Sequence, residues 1–172
     1  MVEIVVWLKA DFIERWHGVA DGQERTCSSV FKDGNGNIYS YGYHYPLLFE
    51  AGGPTFRNRV GYSSTTAKHI AWTQGVFAID VWVSGCNQYT WRNPENVSKL
   101  PHLLYMQRYG GVSDQDILQA VLSDLEDELK DINGRIATKK RTNTKIYQSL
   151  LEERKDCVDR IGGVRPYVKA VA

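Results

Sequence analysis

Sulfur and proline are scarce in this chain: 172 residues include three cysteines, two methionines and five prolines. Cys27, Cys86 and Cys157 are odd in number and widely separated, which excludes a disulfide framework and the short ligand spacing of a cysteine metal cluster. Reduced, buried thiols are the expectation. A long apolar run is also missing. The opening Val2-Glu3-Ile4-Val5-Val6-Trp7-Leu8 contains an acid and lacks a basic lead. It is far shorter than the roughly 20 residues of a membrane span. The expectation is a cytoplasmic protein, not secreted and without a membrane partner. Nor does one sign of charge dominate: 21 Lys and Arg face 20 Asp and Glu, a net charge of +1, so bulk attraction to nucleic acid is not indicated. No phosphate-loop glycine spacing and no paired-cysteine zinc spacing occurs.

Aromatic residues are what the chain does have, and they are unevenly placed. All five Trp, all five Phe and eight of the ten Tyr precede residue 111. The remainder is Leu, Ile and charge. This shift predicts an α+β domain over 1–111, built on a small mixed antiparallel sheet with short helices. A helical arm over 112–163 and a tail over 164–172 follow.

Residues 2–8 have the β-branched, apolar character of a buried strand, and Phe12, Ile13, Trp16 and Val19 follow at helical spacing. Runs 26–32 and 37–45 flank Asp33-Gly34-Asn35-Gly36, a turn rich in residues that tolerate positive φ, which predicts a β-hairpin. In its second strand Tyr39, Tyr41, Tyr43 and Tyr45 alternate, placing four phenols on one face. Ile38, Ser40, Gly42 and His44 occupy the other. Pro46 limits that strand or marks it as an edge, and Leu47-Leu48-Phe49 returns to the core. Ser63-Ser64-Thr65-Thr66 offers N-caps for a helix over about 66–74 that buries Ala67, Ile70, Ala71 and the Gln74 side. Phe77, Ile79, Val81 and Val83 alternate as a strand face. Asn93-Pro94-Glu95 begins further helix, which Pro101 kinks or reopens and Gly110-Gly111 ends.

From Ser113 the signal becomes a heptad. Ser113 with Asp116 has the form of a capping box, and Leu118, Leu122, Leu125, Leu129, Ile132 and Ile136 recur at spacings of four and three. Two continuations fit. One long helix carries the seam through Lys139, Asn143, Ile146, Leu150, Glu153 and Cys157 and self-pairs as a homodimer through 114–161. Alternatively the helix breaks across 138–144 and folds Ile146, Leu150, Leu151, Cys157, Val158 and Ile161 back as an antiparallel hairpin with a basic tip. Gly162-Gly163 ends the helix in both.

Candidate chemistry lies in three places. His17, His44 and His69 sit near the ends of different elements, without carboxylate or thiol at ligand spacing, so no metal or cofactor is expected. The capped segment from Tyr62 through Thr65, Thr66 and Lys68 to His69, preceded by Arg57 and Arg59, is an anion-binding candidate, because a helix N-terminus offers free amides beside hydroxyls and cations. Set beside Tyr39, Tyr41, Gly42, Tyr43, His44 and Tyr45, it gives aromatic platforms next to cations, the pattern used for single-stranded nucleic acid or nucleotides. Lys139, Lys140, Arg141 and Lys145 form a basic run, a solvated helix face or a contact for a phosphate backbone or acidic partner.

Trp16-His17, Ser40-Tyr41-Gly42-Tyr43-His44-Tyr45-Pro46 and Tyr62-Ser63-Ser64-Thr65-Thr66-Ala67-Lys68-His69 together resemble a family of small proteins encoded mostly by phages and mobile elements. That family's pattern is a Ser-Tyr-Gly-x-His-hydrophobic-Pro strand followed by Tyr-Ser-x-Thr-Thr-x-Lys/Arg-His, and the likeness spans residues 12–75. It implies that Tyr41, Gly42, His44, Tyr62, Thr65, Thr66 and His69 occupy motif positions. The function expected is a non-enzymatic phage accessory protein that binds a nucleic acid, a host protein or a ribonucleoprotein complex, for instance as an anti-CRISPR-like inhibitor of host defence. Two other classes stand beside it. One is a metal-independent phosphodiesterase or nuclease in which His44 and His69 exchange protons; the other is a structural oligomerisation module.

Overall fold

The structure is a computed structural model, and it describes residues 25–27, 30–43, 45–61, 63–83, 98–139 and 144–170. Six strands form one sheet in sequence order: β1 (Arg25–Cys27), β2 (Val30–Lys32), β3 (Ile38–Ser40), β4 (Pro46–Glu50), β5 (Thr55–Asn58) and β6 (Ile79–Val81). Neighbours are antiparallel through β5, and β6 then joins parallel to β5. The parallel step needs a crossover. Helix α1 (Ser64–Trp72) and a 3-10 turn (Thr73–Gly75) supply it. Three helices complete the fold: α2 (Leu100–Gln107), α3 (Asp114–Thr138) and α4 (Thr144–Ala170). The strand expected over 2–8 and the helical starts at residues 10–19 and 93–95 lie outside the described residues.

The β2–β3 hairpin forms because Asp33 organises its own turn. Its Oδ1 accepts from the amides of Asn35 and Asn37, both at 2.9 Å, and Gly36 takes φ +90°. The first expected strand is itself folded, since β1 pairs antiparallel with β2. The second is shorter than its alternation suggested. β3 ends at Ser40, Tyr41 turns to φ +61°, and the amide of Tyr45 bonds the Gly42 carbonyl at 3.0 Å. The chain therefore reverses between β3 and β4, and Pro46 opens β4 as its first residue, a position where the missing N–H costs no ladder bond. β4 is central, and Leu47, Leu48 and Phe49 are all fully buried. Asn58 ties the strand ends together: its Nδ2 donates to the Pro46 carbonyl and its Oδ1 accepts from Val60 and Val83.

Ser63 caps α1 by accepting from the Thr66 amide. The helix buries Thr66, His69 and Ile70. Ala67, Ala71 and Gln74, expected inside, are exposed, because the chain turns the neighbouring stripe of Thr66, His69, Ile70 and Thr73 toward the core. Phe77 departs more sharply. It precedes β6 rather than sharing its inner face, and is 98% exposed, while Val81 and Val83 are buried.

The capping box at Ser113 forms in full, with Ser113 Oγ accepting from the Asp116 amide and Asp116 Oδ2 accepting from the Ser113 amide. α3 ends at its C-cap Lys139, α4 begins at Thr144, and the two run antiparallel. Arg135 bonds Glu153, Cys157 Sγ meets the Leu125 carbonyl, and Gln115 donates to the Val168 carbonyl. The hairpin thus replaces the continuous self-pairing helix: Leu150, Cys157 and Ile161 find their partners within the chain, while Ile146 and Val158 remain largely exposed. Nor does Gly162-Gly163 end α4, which runs to Ala170 and takes in most of the expected tail. Two glycines cost a helix about 1 kcal/mol each. Burial of Ile161 and Val164 in the shared core offsets this, and at Gly163 an added Cβ would make only an ordinary contact with Ile79 Cδ1 at 3.5 Å. One core joins sheet and hairpin, running from Leu47, Phe49 and Phe56 through Leu100 and Leu104 to Leu118, Val121, Ile161 and Val164.

Candidate functional site

The four alternating tyrosines are parted by the β3–β4 turn. Tyr39 and Tyr45 are fully buried, Tyr41 is 57% exposed, and Tyr43 is half-buried. Tyr39 is the anchor. Its hydroxyl donates to Asp33 Oδ2 at 3.0 Å, and burial, together with the Asp33 charge, holds its phenol well above the usual tyrosine range. Asn37 links the same carboxylate to α2 by donating to Gln107 Oε1 at 3.3 Å.

A chain of rings runs outward from Tyr39. Tyr43 meets it edge to face at 5.1 Å between centroids, Tyr105 meets Tyr43 at 5.5 Å, and Tyr109 meets Tyr105 at 5.4 Å. The last two hydroxyls are 3.3 Å apart, and that hydrogen bond, with the neighbouring Tyr109 phenol, pushes the Tyr105 phenol upward. Arg108 places its guanidinium 4.2 Å from the centre of the Tyr43 ring. Tyr109, at the outer end, is 67% exposed. Sequence reasoning missed Tyr105, Arg108 and Tyr109; two tyrosines four apart at the end of the Pro101 helix were the available signal.

On the other flank of the turn, Tyr41 lies 5.6 Å from the His69 ring, and His69 lies 4.7 Å from Trp72. His69 Nδ1 is 2.7 Å from Ser40 Oγ, and both residues are buried. Burial lowers the imidazole's pKa, so the ring is neutral near pH 7. The Ser40 bond therefore fastens α1 to the end of β3 and fixes the His69 ring that both Tyr41 and Trp72 meet. Gly42, half-buried, lies between the two flanks.

The expected anion site is distributed differently. Arg57 donates to Asp80 at 2.6 Å and to the carbonyls of Thr73 and Val76, at the C-terminal end of α1 rather than its N-terminus. Arg59 sits 3.7 Å from the same Asp80 carboxylate. Parallel pairing explains the displacement: Arg57 lies level with Asp80, its register partner on β6, where the chain has just left the C-terminal end of α1. At the cap, Ser63 and Thr66 bond one another at 2.6 Å, Thr65 is half-buried, and Lys68 is exposed. His17, His44 and Tyr62 lie outside the described residues, as do Lys140 and Arg141. Lys139 and Lys145 are exposed on either side of the hairpin connection.

Among the described residues no group of three His, Cys, Asp or Glu side chains is placed to hold a metal ion, and no helix is long and apolar enough to cross a membrane. The free thiol of Cys157 is buried, and burial pushes it up to about 11. No family model, no curated protein and no solved structure matches the chain.

Proposed function

We propose that this chain is a non-enzymatic recognition module that docks on a protein partner through the surface around the β3–β4 turn and the end of α2. One observation carries the reading: the exposed ring of Tyr41 is backed by buried His69 and that of Tyr109 by Tyr105, which in turn packs on Tyr43 beneath Arg108. Tyr, Trp and Arg supply most of the binding energy in protein interfaces. Rings already fixed by edge contacts lose little rotamer entropy when a partner covers them. Edge-to-face packing with Arg108 over Tyr43 also leaves few open ring faces for stacking bases, which favours a protein over single-stranded nucleic acid. The resemblance to phage-encoded proteins gives the partner its setting, a host complex whose inhibition serves counter-defence.

The histidine phosphodiesterase is the competing class, and the burial of His69 against Ser40 weighs against it. The test is crosslinking capture in host cells with Tyr41→Ala, Tyr109→Ala and Arg108→Ala, beside Lys68→Ala as a surface control. Each aromatic-face variant is expected to weaken capture at least tenfold while the control does not. Undiminished capture by all three, or turnover of a model phosphodiester by the purified wild type, overturns the reading.

A further inference from the structure

Trp82 stands between two surfaces of opposite charge. On the sheet side, Arg57 pairs with Asp80 across the parallel strands, and Arg59, whose amide donates to the Val81 carbonyl at 2.8 Å, comes level with Trp82. Residues two apart share a face of a strand, so Arg57, Asp80, Arg59 and Trp82 form one patch. Its exposure rises along the strands, from 13% for the Arg57 side chain to 34% for that of Arg59 and 45% for Trp82. Arg57 takes one oxygen of Asp80 at 2.6 Å, and Arg59 reaches the other at 3.7 Å. One carboxylate therefore faces two guanidinium groups, and the outer cation is in excess.

On the other side of Trp82 lies α4. Arg160 sets its guanidinium 4.6 Å from the Trp82 ring centre and donates to the Asp80 carbonyl. Glu152, Asp156, Asp159 and Gly163 recur at spacings of four, three and four, which is one stripe of the helix. An added Cβ at Gly163 would lie 3.5 Å from Ile79 Cδ1, so this stripe is turned toward β6. Of its acids, Asp156 is bonded to Arg160, whereas Glu152 and Asp159 are exposed and form no ion pair among the described residues. An open ring thus has a surplus cation on one side and two unpaired carboxylates on the other.

An acidic partner would answer Arg59 and be repelled by Glu152 and Asp159, and a basic partner would meet the reverse. A surface carrying both signs in the same order answers both, and a second copy of this chain is such a surface. A two-fold axis through the ring brings each Arg59 against the other protomer's acidic stripe, the self-complementary contact of a symmetric dimer. We infer that the chain self-associates as a two-fold dimer through Trp82, with Arg59 of each protomer paired with Asp159 of the other. Trp and Arg are the residue types that anchor such contacts. Few side chains take part, so the association is weak and reversible. None of them belongs to the β3–β4 turn or the end of α2, and a dimer therefore presents the aromatic docking face twice.

Sedimentation velocity on the full chain from about 5 to about 500 µM tests this. The wild type is expected to pass reversibly from monomer to dimer over that range, and to associate about threefold more weakly at about 0.5 M salt than at about 0.05 M. Trp82→Ala, Arg59→Glu and Asp159→Arg should each weaken association about tenfold or more without losing the native circular dichroism spectrum. An equimolar mixture of Arg59→Glu chains and Asp159→Arg chains should dimerise as the wild type does, because every cross-protomer pair again joins opposite charges. Phe77 is the most exposed ring, 98% exposed, but it lies at the other end of β6, about 16 Å along the strand. Phe77→Ala should therefore associate as the wild type does. Asp159→Arg changes an exposed helix position and keeps the test decisive if Arg59→Glu unfolds beside Asp80. A monomer at every concentration, undiminished association of Asp159→Arg, a mixture of two folded variants that stays monomeric, or association lost in Phe77→Ala and kept in Trp82→Ala overturns the inference.

Discussion

Replacing Arg160 by Met tests how the hairpin is fastened to the sheet. Arg160 is 8% exposed and its guanidinium is shared among three elements. It holds Glu128 of α3 through two bonds of 2.6 and 3.0 Å and Asp156 on its own helix at 2.9 Å. It also donates to the Asp80 carbonyl at 3.3 Å and lies 4.6 Å from the Trp82 ring centre. Breaking one side of a fully buried ion pair costs about 3–5 kcal/mol, because the other charge is left uncompensated. Glu128 keeps a quarter of its side chain in water and Asp156 nearly two-thirds, so only Glu128 is stranded, and incompletely. The expected loss for Arg160→Met is therefore about 2–3 kcal/mol, or about 4–12 °C in melting temperature for a chain of this size. Arg160→Lys keeps the charge but loses the two-pronged geometry, and should cost about 1–2 kcal/mol. The double variant Arg160→Met with Glu128→Met removes the stranded charge and should recover to within about 1 kcal/mol of wild type. Urea denaturation followed by far-ultraviolet circular dichroism measures all three at constant slope. A loss below about 0.5 kcal/mol for Arg160→Met, or a double variant no more stable than the single, refutes the assignment of Arg160 as the fastener.

Three further outcomes follow from individual side chains. Asp124 is pushed up to about 6 by burial, despite the hydrogen bond from Ser98 at 2.6 Å. Its folded-state value lies above its unfolded one, so its contribution is fullest below about pH 4 and is lost as pH rises through 6. Asp124→Asn should then stabilise the chain by about 1–2 kcal/mol at pH 7.5, and flatten stability between pH 4 and 7 in denaturant titrations. Tyr41 is the one non-glycine residue with positive φ among those described. Tyr41→Gly should leave stability within about 1 kcal/mol of wild type, backbone relief offsetting the lost ring contact, while weakening partner capture. Cys157, its thiol pushed up to about 11, should resist alkylation at pH 8 in the native state and react on unfolding, as read by peptide mass spectrometry.

Where a signal is local, the sequence carries it to the structure intact. Asp33 and its glycines specify a turn because the carboxylate's Oδ1 takes the backbone amides that follow it within four residues. Ser113 and Asp116 satisfy one another across a single helical turn, whatever lies elsewhere. The heptad of α3 is local in the same sense: Leu118, Leu125 and Ile132 are buried, and Leu122, Leu129 and Ile136 pack partly buried against the same core. Choosing between hairpin and continuous helix is not local. It depends on whether Leu150, Cys157 and Ile161 bury better against α3 and the sheet or against another chain, and that comparison needs the sheet in place. The glycine pair at 162 and 163 misleads for a related reason. Gly commonly ends helices, but here Ile161 and Val164 on either side of the pair bury in the core shared with the sheet and carry the helix through.

The tyrosine alternation shows how a correct period can predict the wrong object. Period two places Tyr39, Tyr41, Tyr43 and Tyr45 on one face only while the backbone stays extended, and Tyr41 leaves the extended region at φ +61°. The turn sends the first and last rings into the core and leaves the middle two at the surface, on opposite flanks. Each flank is then completed from elsewhere: His69 and Trp72 come from α1, and Tyr105, Arg108 and Tyr109 from the end of α2. The buried rings do not stop mattering to the surface ones. Tyr39, tied to Asp33, is what Tyr43 packs against, so the hydrogen bond at the hairpin turn fixes the orientation of the exposed face. A surface assembled this way from three distant segments has no sequence period of its own. Its only trace in the sequence is an excess of tyrosine where core packing asks for fewer polar rings.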